Sequence, residues 1–153
     1  MPSEPWFRRL KRETLRPSVR ASALIPLLVC SVGIFILSSI PGNRYPKVEF
    51  RFADKWMHFL MYLPLGLTAA RYFWWKGKRH WLWPVAFGAI YGALDEWHQL
   101  FVPLRSCSLA DFETDLLAVC TATLIWRVAI LTAKGRDFQK GSANQLDPVD
   151  CPL

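Results

Sequence analysis

The chain contains four long apolar runs, over residues 21–40, 56–75, 81–101 and 116–133. Wound as an α-helix at about 1.5 Å per residue, each measures about 27–32 Å, the thickness of a bilayer's hydrocarbon core. Inside a bilayer every backbone amide must be satisfied within the protein, which favours helices for segments of this kind. Of the 153 residues, 52% are hydrophobic and only 20% charged, and the charges gather between the runs. The fold class expected is therefore an all-α integral membrane four-helix bundle.

Residues 1–20 form a basic tail, with Arg8, Arg9, Lys11, Arg12, Arg16 and Arg20 against Glu4 and Glu13. A secretory signal has an apolar core of about 7–15 residues before its cleavage site. The first run is longer and ends in Ser38-Ser39-Ile40-Pro41-Gly42, so it reads as an uncleaved anchor. Thirteen Lys and Arg residues fall in the two tails and the 71–79 segment, against five in the other two loops. Basic residues accumulate on the cytoplasmic side, which places both termini inside a multi-pass protein of the bacterial cytoplasmic membrane. The net charge of +7 needs no nucleic-acid partner, since the basic residues flank spans and no nucleic-acid-binding signature accompanies them. Trp56, Trp74, Trp75, Trp81 and Trp83 lie near span ends, where amphipathic rings prefer the interface. Residues 134–153, rich in polar residues, are expected to be a disordered cytoplasmic tail. The four cysteines, Cys30, Cys107, Cys120 and Cys151, show neither a disulfide framework nor a metal-type pair.

Against this topology, polar residues collect at the outer side. His58 begins the second span, Asp95, Glu96, His98 and Gln99 end the third, Arg105 follows, and Asp111, Glu113 and Asp115 lead into the fourth. Ionisable groups at such depths are costly and usually face a bundle interior or a wet cavity, so the cluster is the chain's main functional signal. His58 and Tyr62 are i, i+4 on one helix face, and Asp95, His98 and Gln99 are i, i+3, i+4 on another. Counted from the outer span ends, the two histidines share one level, and Tyr62 and Asp95 share another about 9 Å down. Two polar stripes can thus meet across a helix pair. Glu96, about 100° round from Asp95, is expected to face headgroup water. Glu113 and Asp115 are expected to cap the fourth span's N-terminus. Pro64 and Pro84 are expected to kink their spans, and Gly66, Gly88 and Gly92 to let helices approach. Arg127, deep in the inner half of the fourth span, is expected to face the bundle interior.

These residues resemble a family. Ser38-Ser39-Ile40-Pro41-Gly42, then Asp54-Lys55-Trp56-Met57-His58 with Tyr62 and Leu65-Gly66, then the unbroken stretch from Gly88 to Pro103, with Arg105 and Asp111, look like the VanZ-like pattern. The most specific part is Tyr91 to Pro103, with its Asp-Glu-Trp-His-Gln run at a span end. The chain departs from the pattern at Leu104 and Ala118, where Gly is common, and at Asp115, where Asn is usual. The resemblance implies a bacterial multi-span membrane protein, in a family whose founding member is associated with teicoplanin resistance. It also implies action at the cell envelope, with the bilayer and lipid-linked cell-wall material as partners.

Three readings of the cluster stay open. In one, His58, Asp95, His98 and Asp111 are catalytic, in a hydrolase or transferase site with or without metal. Imidazole and carboxylate both ligate Zn and move protons near neutral pH. In the second, the cluster binds an envelope component without transforming it, with Arg105, Glu96, Gln99 and Tyr62 as substrate-binding candidates. In the third, the same groups only hold helices together. The residue types fix neither a metal nor a cofactor, because the run lacks the two-histidine spacing of the zinc proteases.

Overall fold

A computed structural model describes residues 17–44, 52–74 and 80–143, the side chains of 17–20 and 137–143 excepted. Among the described residues the regular structure is all helical, with no strand. Four α-helices pack together: α1 over Pro17–Ser38, α2 over Ala53–Phe73, α3 over Leu82–Gln99 and α4 over Leu109–Ala143, with a 3-10 turn at Gly42–Arg44. Two of them are long and apolar enough to cross a membrane, through Ala21–Ser38 of α1 and Leu109–Arg136 of α4. α2 and α3 are less apolar, since they carry Asp54, Lys55, Arg71, Asp95 and Glu96.

Each helix buries one stripe at the 3.6-residue period. Ala23, Leu27, Ile34 and Ser38 line α1; His58, Tyr62, Leu65, Gly66, Ala69 and Ala70 line α2. Pro84, Gly88, Gly92, Asp95, Glu96 and Gln99 line α3; Asp111, Asp115, Ala118, Val119, Ala122 and Thr123 line α4. The opposite faces are apolar and exposed, as at Val29, Leu60, Ile90 and Leu124. Small residues on the buried stripes let backbones approach, which is how helices associate when their surroundings are as apolar as their side chains. α2 packs most extensively on α4, while α1 lies against α2 and, more lightly, α3. A Cβ on Gly66 would come within 2.9 Å of the Val119 Cα, and one on Gly88 within 2.7 Å of a Val119 methyl. The expected close approach at these glycines is therefore observed.

Several expectations need correction. α4 starts at Leu109, well before the apolar run begins, because Asp111 and Asp115 continue its buried stripe one and two turns upstream of Ala118 and Val119. It also continues through Ala143, so residues 134–143 are helical and only 144–153 of the expected tail lie outside the described residues. Pro84 sits in the first turn of α3, where its missing N–H removes no intrahelical bond, so it has no turn before it to kink. Pro64 does lie inside α2. Arg127 is exposed beside Ile125 and Val128, on the outer face of α4. The buried stripe passes from Ala122 to the half-buried Trp126, leaving Arg127 about 100° round the helix from it.

Candidate functional site

One end of the packed helices is polar. The close of α1, the start of α2, the close of α3 and the start of α4 come together there, and their buried stripes change from small and apolar to ionisable. Helix geometry accounts for this, since His58 lies one turn before Tyr62 on the stripe that runs on to Leu65 and Ala69, and Asp115 lies one turn before Ala118 and Val119.

Two hydrogen-bonded centres result. In the first, His58 Nδ1 lies 3.0 Å from Asp115 Oδ1 in a buried α2–α4 pair. Glu96 sits beside them, so that one ligand atom from each of His58, Glu96 and Asp115 lies within 4.8 Å of the others. Its Oε2 accepts the Ser108 backbone N–H at 2.7 Å, in the turn that opens α4. The positive end of a helix dipole favours an anion at that point. In the second centre, Tyr62 Oη donates to Asp95 Oδ2 at 3.2 Å and Gln99 Nε2 donates to the same oxygen at 3.3 Å. Both centres leave carboxylate oxygens without a partner among the described residues: Asp95 Oδ1, Glu96 Oε1 and Asp115 Oδ2. Residue exposure at Asp95, Glu96 and Asp115 is 5%, 4% and 1%, and buried acceptors of this kind are expensive to leave unpaired.

The remaining candidates divide around these centres. Asp111 forms a salt bridge with Lys55, which also reaches Asp54 at 3.2 Å. In the sequence Lys55 stood out only by its place at a span boundary and within the Asp54–His58 segment of the family pattern. His98 is separate from His58: its Nε2 is 3.0 Å from Ser39 Oγ, and its ring packs on Phe35 at 4.7 Å between centroids. Equal depth therefore did not make the two histidines neighbours. Arg105 Nε donates to the Ile40 carbonyl at 3.4 Å and ties the α3–α4 loop to the end of α1. The Gly42 N–H makes a second tie, to the Pro103 carbonyl at 3.1 Å.

Two sequence expectations fail here. Glu96 is buried against α4 instead of facing water, because Asp95 and Glu96 share a stripe wide enough for adjacent positions. Asp115 does not cap α4, since the helix begins at Leu109 and Asp115 is a full turn and a half inside it. Its signal in the sequence was the spacing Asp111, Asp115, Ala118, Ala122, a stripe that hydropathy alone divides between loop and span. Glu113 is exposed.

Two hollows flank the end. One, of about 450 Å³, runs between α1 and α3 and is lined by Phe35, Tyr91, Leu94, Trp97 and Phe101, with Asp95 and His98 bordering it. The other, of about 310 Å³, lies between α3 and the start of α4 beside Glu96, Cys107, Ser108 and Phe112.

Apolar outer faces, small-residue packing and ionisable groups buried at one end are features of a helical protein of membrane type. A family model described as VanZ/LLP1 matches residues 4–131. The chain belongs to the VanZ/LLP1 family. No curated protein and no solved structure was found to match it.

Proposed function

We propose that all four helices cross the bacterial cytoplasmic membrane, with both termini inside, and that the polar end binds a lipid-linked component of the cell envelope on the outer side. The sidedness rests on the thirteen-to-five distribution of Lys and Arg. The inclusion of α2 and α3 rests on their exposed apolar faces, such as Leu60, Ile90 and Leu94, which water would not tolerate as readily as lipid. Their 21 and 18 residues make helices of about 27–32 Å.

The observation that carries the binding reading is the hollow between α1 and α3. Its aromatic and aliphatic walls suit a hydrocarbon chain, and Asp95 at its border keeps a buried, unpartnered Oδ1 that accepts a hydrogen bond from a hydroxyl or amine. A polyprenyl-linked sugar offers both parts. Capture of such precursors is also a route by which a protein of this family would alter susceptibility to glycopeptides.

The test is native mass spectrometry of the protein in nanodiscs with a polyprenyl-diphosphate sugar or with phosphatidylglycerol. Preferential retention of the polyprenyl lipid is expected, weakened at least about tenfold by Asp95→Leu and by Leu94→Trp, which fills the hollow. Equal retention of both lipids, or affinity unchanged in both variants, would sink the reading.

A further inference from the structure

We propose that His58, Glu96 and Asp115 form a binding site for one divalent transition-metal cation, of the class of Zn²⁺ or Mn²⁺, held between α2, α3 and α4. The site stands on different side chains from the α1–α3 hollow and does not depend on what that hollow binds.

One imidazole and two carboxylates make a mixed nitrogen and oxygen donor set, which suits Zn²⁺ and Mn²⁺ better than a hard all-oxygen cation such as Mg²⁺. The donor atoms lie within 4.8 Å of one another. Ligands around a tetrahedral ion with bonds near 2.1 Å are about 3.4 Å apart, so loading shortens any separation in the triangle by about 1.4 Å at most. Side-chain rotation supplies that movement. Each donor comes from a different helix, so three backbones fix the triangle.

The unpartnered oxygens point independently to a cation. Glu96 and Asp115 are more than nine-tenths buried, yet Glu96 Oε1 and Asp115 Oδ2 have no hydrogen-bond partner among the described residues. Two carboxylates this close repel each other and are costly to bury, and a positive ion between them removes both penalties. Loading the ion exchanges the His58–Asp115 contact for bonds to the metal, while the other Glu96 oxygen, Oε2, is already held by the Ser108 N–H. Bonds of that kind orient metal-ligating carboxylates in established sites. Among the described residues, Lys55 brings an ammonium to this end, and it is engaged by Asp111 and Asp54. The hollow beside Glu96 and Ser108 gives an entry path.

The experiment uses the full chain in nanodiscs, stripped with chelator, reloaded separately with Zn²⁺ and Mn²⁺, and analysed for metal after gel filtration. One equivalent of one of the two ions is expected, with a rise in thermal midpoint on loading. Co²⁺ substitution should give visible ligand-field bands whose intensity reports a low coordination number. Asp115→Asn and Glu96→Gln, which preserve shape and hydrogen bonding, should each weaken binding by about ten- to a hundredfold. His80→Ala, which removes a histidine before α3, should leave binding unchanged. Binding below about 0.1 equivalent, or stoichiometric binding retained by both amide variants, overturns the proposal. A chain that binds no metal and titrates one proton per Glu96–Asp115 pair would instead be holding a shared proton. Lipid retention is measured on metal-free protein, so loss of metal binding with lipid retention intact removes the cation alone, and the converse removes only the hollow's ligand.

Discussion

Leu104 holds its backbone in the left-handed region, at φ 59°, in the loop between α3 and α4. A branched side chain is strained there by about 1 kcal/mol or more, while glycine is not. The family pattern commonly has glycine at this position, and Leu104 is 75% exposed, so little packing offsets the strain. Leu104→Gly is expected to stabilise the protein by about 0.5–1 kcal/mol, read as a higher midpoint in denaturant titration in mixed micelles. A lower midpoint would show that Leu104 is held by contacts outside the chain. At the same scale, some of the site could be read from sequence. Tyr62 and Asp95 fall at one depth on facing stripes, and they are hydrogen bonded. The His58 partner could not be read that way. Counting along a helix gives a residue's depth, but its neighbours across a helix pair depend on rotation about each axis, which only the packed structure supplies. Depth put Tyr62 level with Asp95 and His58 level with His98, but only the first of these level pairs is in contact.

At the scale of elements, α4 is the helix against which α2 and α3 register. Val119 lies where Gly66 of α2 and Gly88 of α3 both approach, and Ala118 and Ala122 are fully buried beside it. Gly66→Val would place branched carbons into space already filled by the Val119 backbone and the Ala122 methyl, the latter 2.7 Å from a Cβ at this position. Overpacking of this kind costs about 1–3 kcal/mol. Loss of the folded species in size-exclusion chromatography, or a midpoint lowered by that amount, is expected. Gly33 provides the contrast, since a Cβ there meets nothing within 4 Å. Gly33→Ala should be neutral or stabilising by up to about 1 kcal/mol, through helix propensity alone. Equal damage from both variants would contradict the packing described. The glycine spacing in α3 was legible as a contact face. The start of α4 was not, because hydropathy assigns Asp111 and Asp115 to a loop while helical periodicity assigns them to the stripe below.

Over the described residues, the exterior is more apolar than that of a water-soluble protein, and one end of the interior is ionisable. Carboxylates and histidine lie inside, and Val29, Phe35, Leu60, Ile90, Leu124 and Leu131 lie outside. The proposed four crossings would make these apolar outer faces a requirement of the solvent, and the proposed sidedness can be checked directly. A reporter fused after Ala143 should behave as a cytoplasmic marker, and a tag inserted near Lys47 should be reached by impermeant reagents from outside; the reverse pair would overturn the topology. The hollow between α1 and α3 has a consequence of its own. Leu94, Trp97 and Phe101 on its walls are themselves exposed, and α1 is joined to α3 at the Tyr91 hydroxyl, which donates to the Ser31 carbonyl at 2.5 Å, and at the His98–Ser39 contact. Walls this exposed would leave a hydrocarbon tail in contact with the surrounding lipid. Chain length would go unread, and selection among ligands would fall to whatever head meets Asp95.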